Sequence, residues 1–276
     1  MGFPPLMTAQ FANRIAFKSR LLLDPANQRR WKARYLFPIR NILSFNRTIS
    51  VCAGGLSGLL NPWGQLAADI WSNPAAFQPE LELLLKILEP SMTFFDVGAD
   101  AGVFSIFAAR KLAQGRVFSV EHASPAYEQL CDNLRLNDLQ NVFPYRLQLV
   151  DSMSKHCSNR TTIDNFLAAE RISKIDVLRL DAHGAELFAL RGSRDILSRS
   201  DAPLLFYSNF AAETKSFAYH PVEVFWCLES LGFALFTFNG GTGAVTAPAA
   251  SRAYDAKIIA VKPQHPSYAR IKGIAR

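Results

Sequence analysis

From residue 93 onward, short unbroken apolar runs alternate with stretches whose apolar positions recur at helical spacing. Residues 93–97 (TFFDV) read as a strand, followed by a glycine-containing turn at 98–102 and a helical stretch to Ala113. Gln114-Gly115 turns the chain into a second strand at 116–120, which ends at Glu121. Ser124-Pro125 supplies an N-cap and first-turn pair for a helix that puts Tyr127, Leu130 and Leu134 on one face. Further strands are expected near 142–149, 175–180, 203–207, 233–238 and 256–261, with helices near 162–170, 185–198 and 221–230. Strand alternating with helix at this spacing means a doubly wound α/β domain, its mainly parallel sheet covered on both faces.

The chain ahead of this pattern reads differently. Residues 9–23 and 26–45 carry helical spacing divided by Asp24-Pro25, and 47–75 are rich in Gly, Pro and Asn, as short strands and turns are. Residues 79–88 (PELELLLKIL) form a helix leading into the sheet. The expected organisation is an N-terminal extension over 1–75, the main domain over 76–262 and a basic tail over 263–276, with His265 inert in it. Residues 1–45 are expected to be an appendage that shapes substrate access or a homodimer contact.

The net charge of +7 sharpens that division, because residues 1–50 carry +8 and 251–276 carry +5 while 51–250 carry −6. Basic ends suit an anionic partner or a plain solvated face. Cys52, Cys131, Cys157 and Cys227 show no CxxC spacing, which argues against a zinc site or a disulfide framework. No apolar run approaches the roughly 20 residues of a membrane span, and no signal peptide is evident, so the expected location is cytoplasmic.

In doubly wound sheets ligands bind beyond the carboxyl ends of the strands. The first such turn reads Asp96-Val97-Gly98-Ala99-Asp100-Ala101-Gly102, and Glu121 follows one strand–helix–strand unit later, where a carboxylate can accept from both ribose hydroxyls. A dinucleotide fingerprint would place glycine where Asp100 stands, and Asp100 would bring negative charge to a pyrophosphate. S-adenosylmethionine carries no phosphate and has a cationic methionine end, so it suits the acidic turn better. An NAD(P)-dependent oxidoreductase is disfavoured on the same ground.

Five segments in order then resemble the FkbM family of S-adenosylmethionine-dependent methyltransferases. They are Asp96-Val97-Gly98-Ala99-Asp100, Glu121-His122, Asn133 with Asn137, Thr162-Ile163-Asp164, and 179–186 (RLDAHGAE). The resemblance, over roughly 75–262, implies a class I methyltransferase fold of seven strands, the last one antiparallel, and O-methylation of a hydroxyl on a sugar or small natural-product-like acceptor. It implies that Asp96, Gly98, Asp100 and Gly102 line the methionine end of the cofactor. Glu121 would hold the ribose with His122 beside it, Asp151 and Ser152 would lie near adenine, and Asp181, His183 and Glu186 would face the transferred methyl. His183 and Asp181 are the catalytic candidates, the imidazole as proton acceptor and Asp181 as the group that orients it.

The chain departs from the family pattern at His122, where a proline is usual, and at His183 and Ser208, where acids are usual. Those losses keep open a non-catalytic cofactor-binding or scaffolding member of the fold. A nucleic-acid methyltransferase is disfavoured, since Asp181-Ala182-His183-Gly184 stands where an NPPY-like motif would be and no Cys follows a Pro. Asp96, Asp151 and Asp181 could be read as metal ligands, but acids at successive strand ends also serve the cofactor directly, and no metal is expected.

Overall fold

The computed structural model describes residues 28–30, 32–38, 48–75, 77–152, 159–209, 214–247 and 256–275. Its centre is an eight-stranded sheet in the order β11-β10-β12-β9-β8-β3-β4-β5. These strands are β3 (Thr93–Val97), β4 (Arg116–Val120), β5 (Val142–Tyr145), β8 (Val177–Leu180), β9 (Leu204–Asn209), β10 (Ala234–Phe238), β11 (Val245–Thr246) and β12 (Ala256–Val261). Strands β5, β4, β3, β8 and β9 run parallel, and β12 enters antiparallel between β9 and β10. That is the doubly wound sheet with a reversed strand near its end that the pattern and the resemblance implied, and β11 runs reversed as well. The eighth strand is β11, a two-residue addition paired with β10.

Two apolar layers cover the sheet because successive side chains in a strand point to opposite faces. Phe94, Val177, Leu204, Phe206 and Ile259 pack on one side, against helices α2 (Gln78–Ile87) and α3 (Val103–Lys111). Phe95, Val97, Leu178, Leu180, Leu205 and Ile258 pack on the other, against α5 (Ile163–Ala169), α6 (Glu186–Arg191), α7 (Arg194–Ser198) and α8 (Val222–Ser230). Thr162 caps α5 by accepting from the Asn165 amide at 3.1 Å, and Asp164 accepts from the Asp195 and Ile196 amides at the start of α7. The helix expected over 185–198 is two helices, broken where Gly192 lets the backbone pass the Val150 carbonyl; a Cβ there would stand 2.1 Å from that oxygen. The strand expected over 142–149 is likewise divided, into β5 and β6 (Gln148–Leu149), with β6 pairing outside the main sheet with β7 (Arg160–Thr161).

The part expected as an N-terminal extension is joined to the main body. A hairpin of β1 (Ile49–Ala53) and β2 (Leu56–Leu60) buries Ile49, Val51, Ala53 and Leu60 in the first apolar layer, and α1 (Gln65–Ser72) follows it. The hairpin is fastened by α4 (Ser124–Leu136) and the residue after it. Asn137 accepts from the Leu59 amide at 2.9 Å and donates to the Leu59 carbonyl at 2.7 Å, while Asn133 accepts from the Asn61 amide at 2.7 Å. The Asn133 amide also donates to the Ala101 carbonyl at 2.8 Å, so the paired asparagines tie the hairpin to the glycine turn. Earlier still, residues 28–30 and 32–38 are helical, with a π-helical stretch Lys32–Leu36, and Ala33 and Phe37 reach the same apolar layer; the helix expected over 9–23 lies outside the described residues.

The other end also differs from the expected basic tail. Residues 268–274 form helix α9 (Tyr268–Ile274), which buries Ile271, and Arg270 donates to the Lys86 carbonyl and pairs with Glu89 at 2.9 Å. His265, expected to be inert, is buried and accepts from the Ser267 amide at 3.0 Å. Residues 49–60 and 268–274 thus pack on the main body through buried apolar side chains. Among the described residues no helix is long and apolar enough to cross a membrane.

Candidate active site

The strand order reverses at β3, whose neighbours are β4 and β8, and this switch point is where a doubly wound sheet opens a crevice. A cleft of about 80 Å³, partly open to solvent, lies there. It is bounded by Val97 at the end of β3 and Gly98 after it, Glu121 and His122 after β4, and Asp181, Ala182 and His183 after β8.

The glycine turn is shaped by backbone contacts. The amides of Gly98 and Ala99 both donate to the Val120 carbonyl, at 2.9 and 3.1 Å. Gly98 has φ 74°, and a Cβ on it would stand 1.9 Å from the Asp181 carbonyl oxygen, so only glycine lets β3 and β8 end this close together. Gly102, at φ 86°, begins α3 in the left-handed region and is buried against Leu130.

Glu121 sits at the cleft wall with its carboxylate nearly covered. Oε2 accepts from the Asp100 amide at 3.0 Å and Oε1 from the Ala123 amide at 2.8 Å, which fixes the side chain and leaves acceptor capacity on both oxygens. His122 is exposed beside it, with Nδ1 3.4 Å from Glu121 Oε1. Asp100 has φ 49°, and its carboxyl is pushed above the usual range first by burial and then by the nearby Glu121 charge. A carboxyl held this way favours a cation next to it.

Asp96, expected to line the methionine end, instead lies beneath the floor. It is fully buried, accepting from Ser105 Oγ at 2.6 Å and pairing with Arg179 Nη1 at 3.0 Å. Arg179 Nη2 donates to Asp181 Oδ2 at 2.6 Å, so one oxygen of the group expected to orient His183 is committed to the guanidinium. Arg179 is the residue that sequence reasoning passed over, although a charged side chain inside the apolar strand VLRL was a signal that something buried must pair with it.

The turn after β8 is built by Glu186. Its Oε1 accepts from the Ala182 and Gly184 amides at 2.9 and 3.1 Å, and Tyr219 donates to the Gly184 carbonyl at 2.7 Å. Burial raises the Glu186 carboxyl above its ordinary value, and the amide hydrogen bonds work against that. Glu186 is therefore beneath the turn and not facing the cleft. The turn it holds presents His183 at φ 49°, exposed at the cleft rim. On the side expected for adenine, Leu147, Gln148 and Leu149 bound the cleft, whereas Asp151 and Ser152 are exposed beyond it and contact each other at 3.1 Å. Phe217, which no pattern in the sequence marked, completes the wall.

These residues fit S-adenosylmethionine better than a phosphate ligand. Asp96, Asp100, Glu121 and Asp181 gather about the two turns, with Arg179 as the buried guanidinium among the described residues. Of the expected site residues Gly98, Glu121, His122, Asp181 and His183 line the cleft, with an apolar wall at Leu147 and Leu149, whereas Asp100 and Gly102 are not part of its lining. Among the described residues no group of three or more His, Cys, Asp or Glu could hold a metal ion.

Comparisons with known proteins bear on the same region. No curated protein matches the chain by sequence. Solved structures resemble it distantly: the precorrin-6y C5,15-methyltransferase of Geobacter metallireducens GS-15 is 16% identical over 67% of this chain and 88% of its own, with a TM-score of 0.43. A SAM-dependent methyltransferase of Aquifex aeolicus is 16% identical over 68% of this chain and 92% of its own, also with a TM-score of 0.43. The model of the methyltransferase FkbM domain matches residues 158–235, which include β8, the His183 turn, Glu186 and Tyr219. Residues 158–235 are thus similar to the methyltransferase FkbM domain, and they lie within a mainly parallel, doubly wound sheet.

Proposed function

We propose that the chain transfers a methyl group from S-adenosylmethionine to a hydroxyl of a sugar or small natural-product-like molecule. The observation that carries this reading is the position of His183. Its turn follows β8 on the rim of the cleft that Glu121 walls, so a proton acceptor stands beside the place where the methionine end would lie. Bound cofactor would supply an electrophilic methyl on a sulfonium, and direct displacement requires the acceptor oxygen to be aligned with it and its proton removed. Glu121 would hold the ribose and Asp100 would favour the cationic end. His183 would accept the hydroxyl proton, since a neutral imidazole is a competent base near neutral pH. Asp181, paired with Arg179, would keep the turn in register.

The test has two stages. Calorimetric titration with S-adenosylmethionine should show binding by the parent chain, and failure to bind removes the reading at its base. With an acceptor found by screening sugars and hydroxylated small molecules for label from methyl-labelled cofactor, His183→Ala should cut turnover by roughly two to four orders of magnitude. Cofactor affinity should stay nearly unchanged. Normal turnover by His183→Ala would assign the proton to another group.

A further inference from the structure

Beneath the cleft floor, one buried cation touches the turns after both β3 and β8. Arg179 Nη1 donates to Asp96 Oδ1 at 3.0 Å and to the Gly98 carbonyl at 3.2 Å, and Nη2 donates to Asp181 Oδ2 at 2.6 Å. The guanidinium lies over the Phe104 ring, 4.0 Å from its centroid, and is shielded from water. Nε has no hydrogen-bond partner among the described residues. A planar fork suits this bridging; a lysine ammonium would keep the charge but not the fork.

Charges buried this way are weakly screened, so they act on whatever occupies the cleft above. S-adenosylmethionine and its product, S-adenosylhomocysteine, differ by one methyl group and one positive charge at sulfur. A fixed cation under the floor disfavours the donor relative to the product, and the carboxylates favour it. We propose that Arg179, balanced by Asp96 and Asp181, sets how strongly the cleft discriminates the cationic donor from the neutral-sulfur product. This rests on reading the cleft as the S-adenosylmethionine site. Arg179 is then a positioning and charge-setting residue that acts from below, without touching either ligand.

The experiment is a pair of calorimetric titrations of the full chain, one with each ligand, between about pH 6.5 and 8.5. Arg179→Met should move the affinity ratio toward the donor by roughly threefold or more, the size expected of a unit charge across a partly screened site. Asp96→Asn, which leaves Arg179 with less counter-charge, should move the ratio toward the product, and Arg179→Lys should hold the ratio within about twofold of the parent. Loss of both affinities in equal measure in Arg179→Met and Asp96→Asn overturns the proposal and leaves Arg179 a structural brace. If Arg179→Met does not fold, the opposite-sign shift in Asp96→Asn decides alone. A parent chain that binds neither ligand refutes the cofactor reading itself, whereas a parent that binds both with unmoved ratios in the variants refutes only the role of Arg179.

Discussion

The two edges of the central sheet both carry half-buried charge and use it differently. At the amino edge, Asp176 accepts from the Thr93 amide at 2.8 Å and pairs with Lys174 at 2.6 Å, while its backbone joins β3 to β9. Lys262 closes the same edge by donating to the Arg199 carbonyl at 2.9 Å. There Asp176 is matched by a lysine and Lys262 by a backbone carbonyl, and both partners also fasten the chain. At the carboxyl edge Asp96 and Asp181 pair directly with Arg179, whereas Asp100 and Glu121 are held by backbone amides, and Arg179 only partly offsets the burial that raises Asp100. Charge consumed by the fold stabilises it, and charge left over costs stability unless a ligand meets it.

That contrast can be broken most sharply at Asp96. Asp96→Ala leaves Arg179 buried with one partner fewer and Ser105 with Ser119 alone, and unfolding in urea should show a loss of about 3–5 kcal/mol. A loss below about 1 kcal/mol would mean that the pair beneath the floor is not the brace described here.

The next two variants separate the edges. Glu121→Ala removes the acceptor for the Asp100 and Ala123 amides together with the expected ribose contacts, so S-adenosylmethionine affinity should fall more than about tenfold. Asp176→Ala should cost about 1–3 kcal/mol of stability through the unpaired Thr93 amide and leave cofactor affinity within about twofold. If Asp176→Ala weakens the cofactor as much as Glu121→Ala does, the two edges are not functionally distinct.

The smallest effect is in pH dependence. Because burial and Glu121 raise Asp100 above its unfolded value, the folded chain binds that proton more tightly than the unfolded chain does. The stability associated with it is therefore present in acid and lost as pH rises through the raised value. Asp100→Asn should flatten this part of the stability curve, and parent binding of the cationic cofactor should release protons in calorimetry across buffers of different ionisation enthalpy. A curve with the same slope in Asp100→Asn would place the unmatched charge elsewhere.

Much of this protein was legible along the chain because apolar periodicity follows directly from which face of an element is buried. The run at 93–97, the glycine turn, Glu121 at the next strand end and the reversed strand at 256–261 all came from local pattern and family resemblance. Gly98 was readable as a turn, but the reason for it, the Asp181 carbonyl that any Cβ would strike, lies 83 residues away in sequence. The roles of the acids were decided only by packing. Asp96, Asp100 and Asp181 look alike as letters, yet one is buried on Arg179 and Ser105, one is left half-buried beside Glu121, and one bridges floor and cleft. Asn133 and Asn137 carried no visible purpose until the hairpin at 49–60 met their amides. Local sequence sets which elements form, since backbone propensity and burial period act over a few residues. Which charges are spent and which are left to meet a ligand depends on partners brought together from distant strands, and that was settled only in three dimensions.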